Sequence, residues 1–316
     1  MNDILTVTMN PAVDLVTRTE RVAPTHKLRC GALQHHPGGG GVNVARVAHR
    51  LGCDCTALYP AGGFVGGLLQ RLLNEEGIAS ICVEIAGATR ESFSVGEDLT
   101  GQEYRFVLPG PELSPHEWQE CLDRIAALDG LPRYLVASGS LPPGVPIDFY
   151  ARLIRMLGPK GVKVVLDASG PALAAALEQG VYLVKPSLRE LRELVHQPLP
   201  TESEWCRAAE QLIEQGKAQV VVLSLGEGGA WLFTPDGASF APPLPIKVRS
   251  AIGAGDSFVG GMVWALTQGH DLKQAFRYGV AAASAALLSE GTGLCHPDDV
   301  QRYYDAVTLV DAVAQT

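Results

Sequence analysis

Between residues 115 and 224 helical and strand patterns alternate without a break, and no other feature limits the fold so tightly. The order is helix 115–128, strand 134–138, helix 147–157, strand 162–166, helix 171–178, strand 182–184, helices 188–195 and 203–215, and strand 220–224. Units of this length set successive strands parallel, with the helices crossing over both faces. The runs 162–166 and 220–223 are rich in Val and Leu, as expected of strands covered on both sides. A chain of 316 residues can bury a substantial core. One α/β domain spanning 1–316 is expected, with a mostly parallel central sheet flanked by helices.

The N-terminal part departs from that rhythm. A strand at 4–9 is followed by alternating segments at 12–22 and 28–36. After a helix at 42–51, a strand at 56–59 and a helix at 66–76, segments 92–97 and 102–108 alternate around Thr100-Gly101 as a hairpin. Each has one polar face. Segments 12–36 and 92–108 are therefore expected to form a small inserted sheet, a lid over a site or a subunit surface. The alternative is an edge extension of the main sheet.

Composition narrows the partners. There are 25 basic and 34 acidic residues, a formal charge of −9, with no basic stripe, so nucleic acid is not an expected partner. An anionic substrate would need a few cations gathered by the fold. Seven cysteines without a C-x-x-C pair argue against a disulfide framework or zinc site and for a reducing cytoplasm. No basic segment follows Met1, and the longest apolar stretch, 280–288, is too short to span a bilayer, so no signal peptide or membrane partner is expected.

Three glycine-rich motifs carry the chemistry. Gly253-Ala254-Gly255-Asp256 lies between a strand-like stretch at 246–249 and an apolar helix at 257–266. Backbone N–H groups at such a junction, with the positive end of the helix dipole, make an anion site. Phosphoryl transfer needs one, because charge on the moving group must be met by donors already in place. Asp256, at the helix start, can take a proton from an attacking hydroxyl. Taken alone, these four residues read more readily as an ordinary helix cap. Gly38-Gly39-Gly40-Gly41-Val42-Asn43 opens a second helix. Four glycines there are entropically costly unless something approaches the backbone, and Asn43 offers an amide to hydroxyls or phosphate. A flexible turn is the plainer alternative, but the patterned flanks and the helix the run opens favour sugar or phosphate binding. The run is not G-x-G-x-x-G, which disfavours a dinucleotide. Ser224-Leu225-Gly226-Glu227-Gly228-Gly229 follows a buried strand, where α/β sheets bind ligands, although such loops also begin hairpins. Lys27, Arg29, Arg90 and Arg105 fall in the small-sheet segments. Singly each reads as solvated surface, and jointly they could form the required cationic cluster.

Paired in one chain, the glycine run with Asn43 and the distal Gly253-Ala254-Gly255-Asp256 resemble the two signatures of the PfkB (ribokinase-like) carbohydrate kinases. The likeness runs over essentially the whole chain. It includes Lys27-Leu28-Arg29-Cys30, residues 37–46, Tyr104-Arg105-Phe106-Val107, residues 138–145 (SGSLPPGV) and Val184-Lys185-Pro186. Within the family it is similar to the 6-phosphofructokinase type. The 1-phosphofructokinases and tagatose-6-phosphate kinases usually carry Lys where Gly40 stands here.

The resemblance implies a ribokinase-like α/β fold with a small β-sheet lid, and transfer of phosphate from ATP to a sugar phosphate. It implies that Asp14, Gly39, Gly40, Asn43 and Ser140 meet the sugar, and that Lys27, Arg90 and Arg105 surround its phosphate or the moving phosphoryl. Lys185, Ser187, Ser224, Gly226, Gly229 and Ser284 would face ATP. Gly253, Ala254 and Gly255 would form the anion hole, with Asp256 as base and Lys27 assisting. It further implies Mg2+, carried mainly by phosphates and water with Glu190 nearby, and a homodimer built through the lid strands. Two departures stand out. The family's Asn-x-x-Glu reads Ser187-Leu188-Arg189-Glu190 here. The loop that binds K+ in relatives would comprise Ser250, Ile252, Ala286, Ser289, Gly291 and Gly293, with Ser289 and Gly293 where Asn and Arg are expected. K+ activation is therefore left open. Three rival readings remain: the same chemistry on tagatose 6-phosphate or fructose 1-phosphate, a catalytically weak nucleotide or sugar-phosphate sensor, and a dinucleotide oxidoreductase, which lacks its fingerprint here.

Overall fold

The computed structural model describes residues 3–311. The chain enters through β1 (Ile4–Val7) and leaves at once for a second sheet, β2 (Ala12–Thr19) and β3 (Gln34–Gly38). It returns through α1 (Gly40–Arg50), β4 (Cys55–Ala61), α2 (Gly63–Glu75) and β5 (Ala79–Glu84). β6 (Arg90–Glu97) and β7 (Glu103–Val107) complete the second sheet. The alternation follows as α3 (Pro115–Ala126), β8 (Tyr134–Ser138), α4 (Phe149–Leu157), β9 (Lys163–Asp167), α5 (Gly170–Leu177), β10 (Val181–Val184), α6 (Leu188–Val195), α7 (Glu202–Glu214) and β11 (Ala218–Ser224). A hairpin, β12 (Ala230–Thr234) and β13 (Gly237–Ala241), leads to α8 (Ala254–Thr267), α9 (Leu272–Ala286), α10 (Pro297–Ala306) and β14 (Val310–Asp311).

The main sheet has ten strands in the order β14-β13-β12-β11-β10-β9-β8-β1-β4-β5. From β11 to β5 every pairing is parallel, and from β11 to β14 every pairing is antiparallel. Alternate residues of the parallel strands feed two cores. Val220 and Val222 of β11 pack with α1, α2, α8, α9 and α10, and Val221 and Leu223 pack with α3 to α7. Among the described residues no helix is long and apolar enough to cross a membrane.

The second sheet has the order β3-β2-β6-β7 and shares no strand with the first, which rules out an edge extension. Asp14 pairs with Ser92, and Ser92 with Val107; Leu15 pairs with Phe93, and Phe93 with Phe106. Strand alternation puts Asp14, Ser92 and Arg105 on one face, and Leu15, Phe93 and Phe106 on the other.

Two expected strands are corrected. Residues 242–248 pair with nothing in either sheet, so 246–249 is an extended loop. The strand expected at 28–36 is confined to Gln34–Gly38, and residues 20–33 run without sheet pairing.

Candidate active site

Parallel strands end on one edge of the sheet, and ligands of open α/β sheets bind beyond that edge. Here the carboxyl ends of β1, β8, β9 and β10 deliver Asn10, Ser138 to Ser140, Asp167 and Lys185. The polar face of the second sheet stands opposite. Between them lies a cavity of about 250 Å3 lined by Asp14, Gly39, Gly40, Asn43, Arg90, Arg105, Ser140, Glu190 and Asp256, all named from sequence.

Asp256 sits in the first turn of α8, whose cap, Gly253, has φ 75°. A side chain at 253 would be strained in that left-handed conformation and would also collide with Leu294 Cδ2 at 2.5 Å. Asn43 Nδ2 donates to Asp256 Oδ2 at 2.8 Å. Burial raises the Asp256 carboxyl above its ordinary value, while the Asn43 amide and the Lys185 and Arg105 charges oppose that shift.

The glycine run has a cause that differs from the one expected. A Cβ at Gly38 would strike the Asp14 carboxylate, one at Gly40 the Ser138 hydroxyl, and one at Gly41 Thr8 Oγ1 and the Val7 carbonyl. The protein's own strand ends approach this backbone, and only Gly39 and Gly40 face the cavity.

Lys185 Nζ lies 3.1 Å from Asp167 Oδ1, both largely buried beneath the cavity. Burial pushes Asp167 up to about 6 against the Lys185 charge, and Lys185 is raised by the Asp167 carboxylate despite its own burial. A Cβ on Gly255 would stand 3.5 Å from Lys185 Nζ, so the ammonium also adjoins the turn at 253–255.

Asp14 Oδ2, Asn10 Oδ1 and Arg90 Nε are among the buried atoms without a hydrogen-bond partner of good geometry in the described residues, although the Thr292 hydroxyl is near enough to Asp14 to lower its carboxyl. Burial raises the Asp14 carboxyl while Arg105 and Arg90 lower it. The remaining Arg90 nitrogens donate to Asn10 O and Leu108 O, both at 2.9 Å. An acceptor at Asp14 and cations at Arg90 and Arg105 on the cavity wall suit a polyhydroxylated, anionic ligand.

A family model described as pfkB family carbohydrate kinase matches residues 6–299. The chain belongs to the PfkB family of carbohydrate kinases. It is 45% identical over 312 residues to the ATP-dependent 6-phosphofructokinase isozyme 2 of Mycobacterium tuberculosis, covering 99% of this chain and 92% of that one. It is 41% identical to the isozyme of the same name from Escherichia coli, covering 95% and 97%. The crystal structure of Escherichia coli phosphofructokinase-2 in complex with fructose-6-phosphate superposes with a TM-score of 0.91 at 40% identity, over 97% of this chain and 99% of that one. The same enzyme has been solved with potassium and in a tetrameric inhibited form.

For a PfkB kinase, the remaining candidate residues fall into two groups. Ser187 caps α6: its N and Oγ donate to Glu190 Oε2 at 2.8 Å, and Glu190 N donates back to Ser187 Oγ. Ser224 lies beside it, with N and Oγ directed to Pro186 O. Gly226 and Gly229, with φ 60° and 92°, turn the chain into the β11–β12 hairpin. Ser284 is buried in α9. None of these nucleotide-side residues except Glu190 lines the cavity. Lys27 is exposed in the unpaired 20–33 segment and is absent from the cavity lining. Three polar residues the sequence did not single out line it: Asp167, Ser169 and Ser92. Their only sequence signal is position, at the end of a buried strand or in register with Asp14.

Proposed function

We propose that this kinase is an ATP-dependent 6-phosphofructokinase, which transfers the γ-phosphoryl of ATP to the C1 hydroxyl of D-fructose 6-phosphate. The observation that carries the reading is the Asn43–Asp256 pair at the foot of α8, sharing one cavity with Asp14 and Arg90. Asp256 accepts the hydroxyl proton as that oxygen attacks the γ-phosphorus in line. The N–H groups of Gly253 to Gly255 and the dipole of α8 meet the charge on the phosphoryl. Asp14 accepts from sugar hydroxyls, and Arg90 and Arg105 hold the 6-phosphate. Lys27 reaches the transferring group only when the 20–33 segment and the second sheet draw down over the cavity, the role of a lid.

ATP lies toward Ser187, Ser224 and the glycine turn at 226–229, with Lys185 beneath its phosphates. The family's Mg2+ fits this site in a limited way. Among the described residues no cluster of three or more His, Cys, Asp or Glu could hold a metal. Glu190 supplies one carboxylate, and ATP phosphates and water would complete the shell. Ser187 holds that carboxylate through its N and Oγ, which supports a kinase over a sensor. A K+ ion suits the carbonyl-rich loop beside Gly253, although Ser289 Oγ and Arg50 Nη1 already occupy the Leu294 and Gly293 carbonyls. The outer row of the second sheet, with Phe93 and Phe106 exposed, is the surface for a homodimer. A cytoplasmic location agrees with seven free thiols.

ADP release with Mg-ATP and fructose 6-phosphate, tagatose 6-phosphate, fructose 1-phosphate, fructose and ribose tests the reading. Strong preference for fructose 6-phosphate is expected. Preference for tagatose 6-phosphate or fructose 1-phosphate would overturn the inference from Gly40. Retained ATP binding with no turnover would return the sensor.

A further inference from the structure

Arg46 is completely buried on α1, where the neighbouring inward positions are Val42, Val44, Val47 and Ala48. An arginine there must have every donor matched. Its Nε and Nη2 take both oxygens of Glu76 at 2.6–3.0 Å, beside the C-terminus of α2. Its Nη1 shares two hydrogens among three oxygens: Pro37 O at 3.0 Å, Thr292 O at 3.2 Å and Asn43 Oδ1 at 3.3 Å. Joining α1 to α2 needs only the Glu76 contacts. The Nη1 contacts point the other way, toward the base.

We propose that Arg46 is a positioning residue for phosphoryl transfer, acting through the Asn43 side chain to present an N–H, rather than a carbonyl, to Asp256. This rests on Asp256 being the base. A carboxamide can turn over, exchanging its oxygen and nitrogen at little steric cost. A guanidinium has donors only, so Asn43 must turn Oδ1 toward Arg46. Nδ2 then faces Asp256, at the observed 2.8 Å. If the amide turned over, Oδ1 would face Asp256 Oδ2, and only the protonated acid could bond to it. That form cannot accept a proton from the sugar. Glu76 and Arg50 anchor the relay: Glu76 fixes the guanidinium plane, and Arg50 bonds Glu76 Oε2 at 3.4 Å and Gly293 O at 2.6 Å.

Other charges face Asp256 from each element around it. Lys185 and Asp167 lie beneath, and Arg105 and Asp14 stand on the second sheet. The Asn43 orientation alters none of them, but the Arg46 charge also lowers Asp14, so only a shift of the acid limb in a variant that keeps the cation isolates the relay.

The test is Arg46→Lys with Arg46→Met as companion, each made in the wild-type and the Asn43→Ala background. Lysine keeps a cation for Glu76 but cannot also span to Asn43. In wild type, Arg46→Lys is expected to lower kcat about tenfold, within the range for coupled neighbours. The acid limb of kcat/KM should also move to higher pH. In the Asn43→Ala background the same change should add almost nothing. Circular dichroism melts show which variants are folded at assay temperature, and Arg46→Lys serves if Arg46→Met is not. Losses that simply add in the double variant, or an unchanged kcat and acid limb in a folded Arg46→Lys, overturn the proposal. If Asp256→Asn keeps its activity, the base assignment fails instead, which separates the two outcomes.

Discussion

Asp256 is held between groups that pull its carboxyl in opposite directions. Burial and the Asp14 charge raise it, whereas the Asn43 N–H, Lys185 and Arg105 lower it. Burial prevails, so the acid limb of kcat/KM is expected above the ordinary carboxylate value. Replacing Lys185 with Met removes a lowering charge and should move that limb to higher pH. The same change leaves Asp167 buried without its partner, at a cost of about 3–5 kcal/mol in a denaturant titration. Asp167 holds its proton more tightly folded than unfolded, since burial raises it to about 6. Its contribution to stability therefore declines as pH rises from the ordinary carboxylate range to about 6, and Lys185→Met should extend that decline to higher pH. Asn43 and Asp256 stood out in the sequence because glycine motifs surround them, whereas Asp14 was named only through the family resemblance. Asp167 did not stand out: a single Asp after an apolar strand carries no local mark, and its meaning comes from β9 ending beside β8 and β10.

α6 shows when an element's bounds can be read from sequence. Its observed span, Leu188–Val195, is the expected one, because the box between Ser187 and Glu190 fixes the first turn. Ser187→Ala should cost about 1 kcal/mol in stability through loss of that cap. It should also free Glu190 and raise the KM for Mg-ATP, with the KM for fructose 6-phosphate unchanged; steady-state kinetics with each substrate varied in turn checks this. The small elements at the sheet edges were harder to read. β5 is half exposed and β14 has two residues, so neither shows a clear apolar face. The β12–β13 hairpin did carry a signal, the Pro235-Asp236-Gly237 turn between AWLFT and GASFA, which the βα rhythm of the preceding residues masked. Residues 246–249 alternate like a strand but pair with no strand of either sheet.

The molecule as a whole is a main sheet with its site at one edge and a second sheet facing that edge. The polar and apolar faces of the second sheet follow from strand alternation, which is why its existence was legible. Its loop 20–33 was not, because residues 20–22 and 28–33 were read as strand. The outer row should hold two copies together: replacing Phe93 and Phe106 with Asp is expected to yield monomers in analytical ultracentrifugation, with a weakened hold on sugar phosphate if the lids brace each other. An unchanged association state would move the interface elsewhere.

The reaction assigned to Asp256 is tested most directly by single-turnover kinetics. Wild type and Asp256→Asn would be mixed with Mg-ATP and fructose 6-phosphate, and the product identified by phosphorus NMR. Wild type should give fructose 1,6-bisphosphate, and the variant should be slower by about 10²–10⁴-fold, the usual worth of a general base, with its melting profile retained. A folded variant that keeps half the wild-type rate would contradict the role of Asp256, and a product phosphorylated anywhere but C1 would contradict the reaction itself.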